Sequence, residues 1–106
     1  MQYAILALCP LKMTDILIDG MLSGTGLRDL NNGGYHEPEA LGLSASLAAD
    51  VADWLRNYEN AHFAGFPEAL VASLDKVGLK LLGRVRAELP EKEVGYFSNG
   101  RMERLA

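Results

Sequence analysis

The residues of this sequence that could do chemistry are one cysteine, two histidines and a few closely spaced acids. A thiolate becomes a good nucleophile when an imidazole lowers its pKa, so Cys9 and His62 could form a nucleophile and its base. Only residue type joins the two, and a lone Cys beside an apolar run reads more simply as small core packing. In "HEPE", His36, Glu37 and Glu39 put three metal-ligand types close together, with Asp29 as a further oxygen donor. A metal site wants four ligands at a recognisable spacing, and a solvated polar loop accounts for the same residues. Asp15 and Asp19 have the chemistry of an acid–base pair, but such pairs are made in space and the sequence supplies no cleft for them. The expectation is no catalytic residue, no metal and no cofactor.

The stretch "LSGTGLRDLNNGGYHEPEALGL", Leu22 to Leu43, holds five glycines. A P-loop needs Lys-Ser/Thr after its last glycine to reach the outer phosphates, and here Gly24-Thr25-Gly26 is followed by Leu27, Arg28 and Asp29. A dinucleotide site wants a third glycine where Asp29 stands, then a full helix to cap the pyrophosphate. Asp29 would also repel phosphate. The loop is therefore read as an exposed, irregular segment shaped by Gly and Asn turns and facing another protein.

The chain of 106 residues fits one domain, and 49% apolar against 23% charged residues argues for a packed core rather than disorder. The first apolar run, Tyr3 to Leu8, lacks a preceding basic residue and is too short to span a bilayer, so no signal peptide and no membrane association are expected. With one cysteine and no sign of an oxidising compartment, a cytoplasmic location is expected. Through Asp75 there are ten acids against Lys12, Arg28 and Arg56, whereas from Lys76 onward seven bases outnumber four acids. An acidic first two thirds is a poor surface for nucleic acid and a good one for a basic protein.

The elements that must hold these residues are read from periodicity. Gln2 to Leu8 reads as a short strand ended by Cys9-Pro10, and Asp15 to Leu22 as a second one. Ser44 or Ser46 caps a helix over Ala45 to Phe63, whose apolar stripe is Leu47, Val51, Trp54, Leu55, Tyr58 and His62. Trp54 and Tyr58 are read as core. Its far face carries Asp50, Asp53, Asn57 and Asn60. Gly65 breaks the chain, and Pro67 opens a second helix to Leu89, with Leu70, Leu74, Val77, Leu81, Val85 and Leu89 at helical spacing. Lys76, Lys80 and Arg84 read as its solvated side. A short connection predicts antiparallel helices. Asn99-Gly100 predicts a type I′ hairpin over Val94 to Leu105 that sets Phe97 opposite Met102, Tyr96 opposite Glu103 and Val94 opposite Leu105. The expected fold is α+β: two long antiparallel helices on a small, mostly antiparallel sheet with a C-terminal β-hairpin.

Leu47, Trp54 and Tyr58 in the first helix, the run Gly78 to Pro90 ("GLKLLGRVRAELP") and the strand "VGYFS" together resemble a loose pattern in small bacterial proteins of toxin-immunity loci. The resemblance covers Leu43 to Ser98. It is to immunity proteins of contact-dependent growth inhibition and other polymorphic toxin systems, and it implies a protein that neutralises a cognate toxin by occluding its active site or substrate surface. The acidic surface fits a basic toxin domain, such as a nuclease, as partner. Candidate contacts are Asp29, Asn31, Asn32, Tyr35, His36, Glu37 and Glu39 from the loop, with Asp50, Asp53 and Asn57 from the helix. Tyr35, an aromatic among glycines, is the expected anchor. The alternatives are a small adaptor or subunit for another protein and, behind that, a small enzyme using Cys9 or a His.

Overall fold

The computed structural model describes residues 13–106. The strand expected over Gln2 to Leu8, and Cys9 with it, lie outside the described residues. Among the described residues four strands form one sheet: β1 (Ile16–Ile18), β2 (Leu27–Asp29), β3 (Val94–Ser98) and β4 (Glu103–Arg104), in the order β2-β1-β3-β4. The two outer pairings are antiparallel and the central β1–β3 pairing is parallel. A parallel neighbour needs a long crossover, and the two helices between β2 and β3 supply it.

α1 (Ala45–Phe63) follows from its sequence: Ser44 caps it, its hydroxyl accepting from the Leu47 amide at 3.3 Å, and Leu47, Val51, Trp54, Leu55 and Tyr58 are buried. The expected stripe continues through Ala61, while His62 is only half-buried. α2 (Glu68–Glu88) opens just after Pro67. The partners Ser44–Glu88, Asp50–Arg84 and Tyr58–Asp75 run in opposite directions along the two helices, so the pair is antiparallel.

The buried side of α2 differs from the expected stripe. Val71, Leu74, Gly78, Leu81, Leu82 and Val85 are buried together with Asp75, while Leu70 and Val77 are 37% and 45% exposed. Two groups turn the helix this way. Asp75 accepts from the hydroxyls of Tyr58 at 2.9 Å, Tyr96 at 2.7 Å and Ser98 at 2.7 Å, and a Cβ on Gly78 would meet the Tyr96 ring at 2.3 Å. Apolar periodicity cannot register a carboxylate that belongs in the core.

The C-terminal hairpin forms, with a corrected register. Phe97 pairs with Arg104 and Ser98 with Glu103, so Asn99 to Met102 make the turn and the positive φ falls on Met102 at 55°. Distant partners hold Asn99 and Gly100 away from a type I′ turn. The Asn99 side chain accepts from the Gly20 amide at 2.8 Å, the Gly100 amide donates to the Tyr58 hydroxyl at 3.1 Å, and Gly100 lies against Val71.

Candidate functional site

The glycine-rich segment is ordered into a hairpin. β2 turns at Leu30 to Gly34 and returns through Tyr35 and His36: Arg28 bridges Tyr35, and the His36 amide donates to the Leu27 carbonyl at 2.8 Å. Asp29 makes the turn. Its Oδ1 accepts from the amides of Asn31 (2.9 Å) and Asn32 (3.0 Å), and the Asp29 amide donates to Gly34 at 2.8 Å. Such side-chain-to-backbone bonds are what Asp offers a turn, and Gly33 and Gly34 supply the positive φ angles of 84° and 72°. The Asn32 amide, first, and the Asn31 amide hold the Asp29 carboxyl below its usual range. This segment is therefore not the irregular loop the sequence suggested.

Three of the expected contacts are consequently engaged within the chain. Asp29 serves the turn, and Asn31 Nδ2 donates to Asp15 at 3.0 Å. Tyr35 is half-buried rather than a free aromatic. Its hydroxyl donates to Asp19 at 3.0 Å and accepts from Arg28 at 2.6 Å, and the same guanidinium lies 4.9 Å over its ring. Asp19 is 1% exposed and also accepts from Arg28 Nε at 2.6 Å. Burial first, then the Asp19 charge, pushes the Tyr35 hydroxyl up to about 12.

After this hairpin the chain makes a 3-10 turn, Pro38–Leu41, and lays it against α1. Between them is a cleft of about 290 Å³. Thr25, Glu37 and Pro38 form one wall; Ala48, Ala52, Leu55, Arg56 and Glu59 of α1 form the floor and the other wall. Thr25 is fixed by donating its hydroxyl to the His36 carbonyl. The small side chains Ala48 and Ala52, one helical turn apart, leave the space. Neither Glu37, Glu39 nor Glu59 has an ion-pair partner among the described residues, whereas Arg56 is bonded to Asp53 at 3.0 Å. The cleft thus has an apolar floor and a rim where the unpaired Glu37 and Glu59 outnumber the already paired Arg56, which suits the long stem and charged head of a lysine or arginine.

Asp50, Asp53 and Asn57 stand on the opposite flank of α1. With Lys80 and Arg84 of α2 they border a second groove, about 390 Å³, floored by Trp54, Leu74, Val77 and Leu81. Its charges answer one another, since Arg84 pairs with Asp50 across it. The expected contacts therefore divide: Glu37 at the loop-side cleft with Glu39 beside it in the 3-10 turn, and Asp50, Asp53 and Asn57 at the helix groove. His36 lies in the hairpin, its Nε2 3.6 Å from Asp29, and Asn32 is exposed at the tip. Thr25 and Glu59 were missed from the sequence. Their signal was faint: a row of Ala48, Ala52, Leu55 and Glu59 at helical spacing, beside the apolar stripe.

Among the described residues the chemical candidates are not assembled, and Cys9 lies outside them. His62 is spent on the Gly20 carbonyl, 2.8 Å from Nε2, and on the Phe66 ring. Asp15 accepts from the Glu93 amide and from Asn31, and shares no partner with Asp19. Among the described residues no group of three His, Cys, Asp or Glu side chains could hold a metal. No helix among them is long and apolar enough to cross a membrane. The fold and cleft define an α+β domain with a helix pair on one face of a four-stranded mixed sheet and an acidic cleft beside the first helix. Comparison with protein-family models, curated proteins and solved structures gave no match.

Proposed function

We propose that the chain is an immunity protein, which binds a cognate bacterial toxin domain of basic surface and occludes its active site or substrate surface. The observation that carries this reading is the cleft between the 3-10 turn and α1, where Glu37 and Glu59 line an apolar floor with no ion-pair partner among the described residues, the one lining cation, Arg56, being bonded to Asp53. A lysine or arginine of the toxin lays its stem on Ala48, Ala52 and Leu55 and places its charge between the two carboxylates. Exposed acids around this point, Glu39 among them, steer a basic partner onto it. The resemblance of the Leu47–Trp54–Tyr58 helix and the Gly78 to Pro90 run to immunity proteins supports the class of partner. Occlusion needs complementarity and no reacting group, so the role asks nothing of His36 or His62.

The test is binding of the toxin domain encoded beside this chain, measured at low and at high salt. The parent binds it, and Glu37→Gln with Glu59→Gln slows association at low salt by about tenfold while the difference shrinks at high salt. A neighbour-encoded toxin that does not bind, or a double variant that associates like the parent at low salt, overturns the proposal.

A further inference from the structure

The exposed side of the helix pair carries the groove of about 390 Å³ that is floored by Trp54, Leu74, Val77 and Leu81. Val77 is 45% exposed there. The two rims have opposite signs: Asp50 and Asp53 stand on α1, Lys80 and Arg84 on α2. A basic partner drawn to one rim is repelled by the other, so this groove is no second docking site for the partner of the acidic cleft. Rims of opposite sign fit instead a surface that presents them in reverse, and a second copy of this chain is such a surface. Lys80 has no ion-pair partner among the described residues. Asp53 is bonded only along its own helix, to Arg56, and with both side chains 68% exposed that pair is worth little.

The cross-helix partners Ser44–Glu88, Asp50–Arg84 and Tyr58–Asp75 fix the stagger of the two helices, and the same stagger sets Asp53 level with Lys80. A two-fold axis along the groove, parallel to the helices, keeps these levels and lays α1 of each copy over α2 of the other. Asp53 then faces Lys80 across the interface, and Asp50 faces Arg84, each contact being made twice. Every helix has only antiparallel neighbours, as in an up-and-down four-helix bundle. A two-fold axis across the helices would stack α1 on α1 and set acid against acid. With 19 and 21 residues, each helix is about 30 Å long. Two helices about 10 Å apart present a face about 20 Å wide, hence about 600 Å² per copy. The total of about 1,200 Å² lies at the lower bound of specific interfaces, which fits a dimer that dissociates on dilution. We infer that two copies of this chain pair through the groove, α1 on α2, with the sheets outermost. The acidic cleft, on the other flank of α1, stays open to its partner.

Sedimentation equilibrium of the full-length chain over a concentration series tests this without any toxin. The expected result is a reversible equilibrium between monomer and dimer. Asp53→Lys and Lys80→Glu each bring like charges together at two places, and each weakens association by about tenfold at low salt. Mixing the two variants restores association, because in the mixed dimer each reversed charge meets its opposite at both contacts. An unfolded variant could not be rescued in this way, and the circular dichroism of each variant alone matches that of the parent. A parent that stays monomeric at every concentration overturns the inference. So does a dimer that both reversals leave unchanged, or a mixture that associates no better than either variant alone.

Discussion

Asp75 and Asp19 are the two buried carboxylates among the described residues, 4% and 1% exposed, and the balance of their partners differs: hydroxyls dominate at Asp75, whereas a close guanidinium, at 2.6 Å, dominates at Asp19. Asp75 takes three hydroxyls, from Tyr58 of α1 and from Tyr96 and Ser98 of β3, with the Arg101 guanidinium further off at 3.5 Å, and so joins both helices to the sheet at one point. The Ser98 and Tyr58 hydroxyls in turn accept the amides of Arg101 and Gly100, which extends the network into the hairpin turn. Asp19 instead takes a guanidinium and one tyrosine, both from the β2 hairpin, and fastens that hairpin to the end of β1. The first carboxylate organises the core, and the second places the segment that leads to the cleft. A satisfied buried network fixes one arrangement because each orphaned member would cost its full desolvation.

The largest effect expected from this contrast is at Asp75. Asp75→Ala removes the common acceptor and leaves the Tyr58, Tyr96 and Ser98 hydroxyls without it, which should cost about 3–5 kcal/mol of stability. Denaturant unfolding measures it, and a loss below about 1 kcal/mol would mean the hydroxyls find other acceptors without strain.

Asp19→Ala should cost less, about 1–3 kcal/mol, because the Arg28 side chain is already 33% exposed and can turn to water once its partner is gone. Its damage should be local. Amide exchange should accelerate across Leu27 to His36 and leave the centres of α1 and α2 nearly unchanged. A loss equal to that of Asp75→Ala, spread over both helices, would erase the distinction between the two carboxylates.

The same contrast explains what could be read from the sequence. The bounds of α1 were legible because an apolar stripe and a capping serine are local signals, carried by Ser44 and by Leu47 through Tyr58. The face of α2 was not, because Asp75 and Gly78 earn their burial from residues some twenty positions away. Asn99-Gly100 looked like a self-contained turn, yet Gly20, Tyr58 and Val71 set its shape. The β2 hairpin hid inside a glycine-rich run because Asp29 supplies its turn through side-chain bonds that no hydrophobic period reveals. Of the site, the acids Glu37 and Glu39 were visible as charge, while the cleft was not, since it is made by the absence of bulk at Ala48 and Ala52.

The finest test of the contrast is alkaline titration of Tyr35, which reports on Asp19 directly. Burial and then the nearby Asp19 carboxylate raise this hydroxyl from its ordinary value of 10 to about 12, with Arg28 opposing them. The folded chain therefore keeps the proton over a range where the unfolded chain has lost it. The stability tied to Tyr35 is complete below pH 10 and declines as pH rises from 10 towards 12. Burial likewise raises Tyr58 and Tyr96, so the full alkaline decline has several contributors. Tyr35→Phe should flatten only its own share of the decline. Asp19→Asn should lower the Tyr35 value, because the carboxylate charge disappears while Arg28, which favours the phenolate, remains. The Tyr35 ring-carbon shift, followed by NMR against pH, separates it from the other tyrosines. If Asp19→Asn left that titration in place and moved Tyr96 instead, the two carboxylates would be parts of one network rather than two anchors with separate tasks.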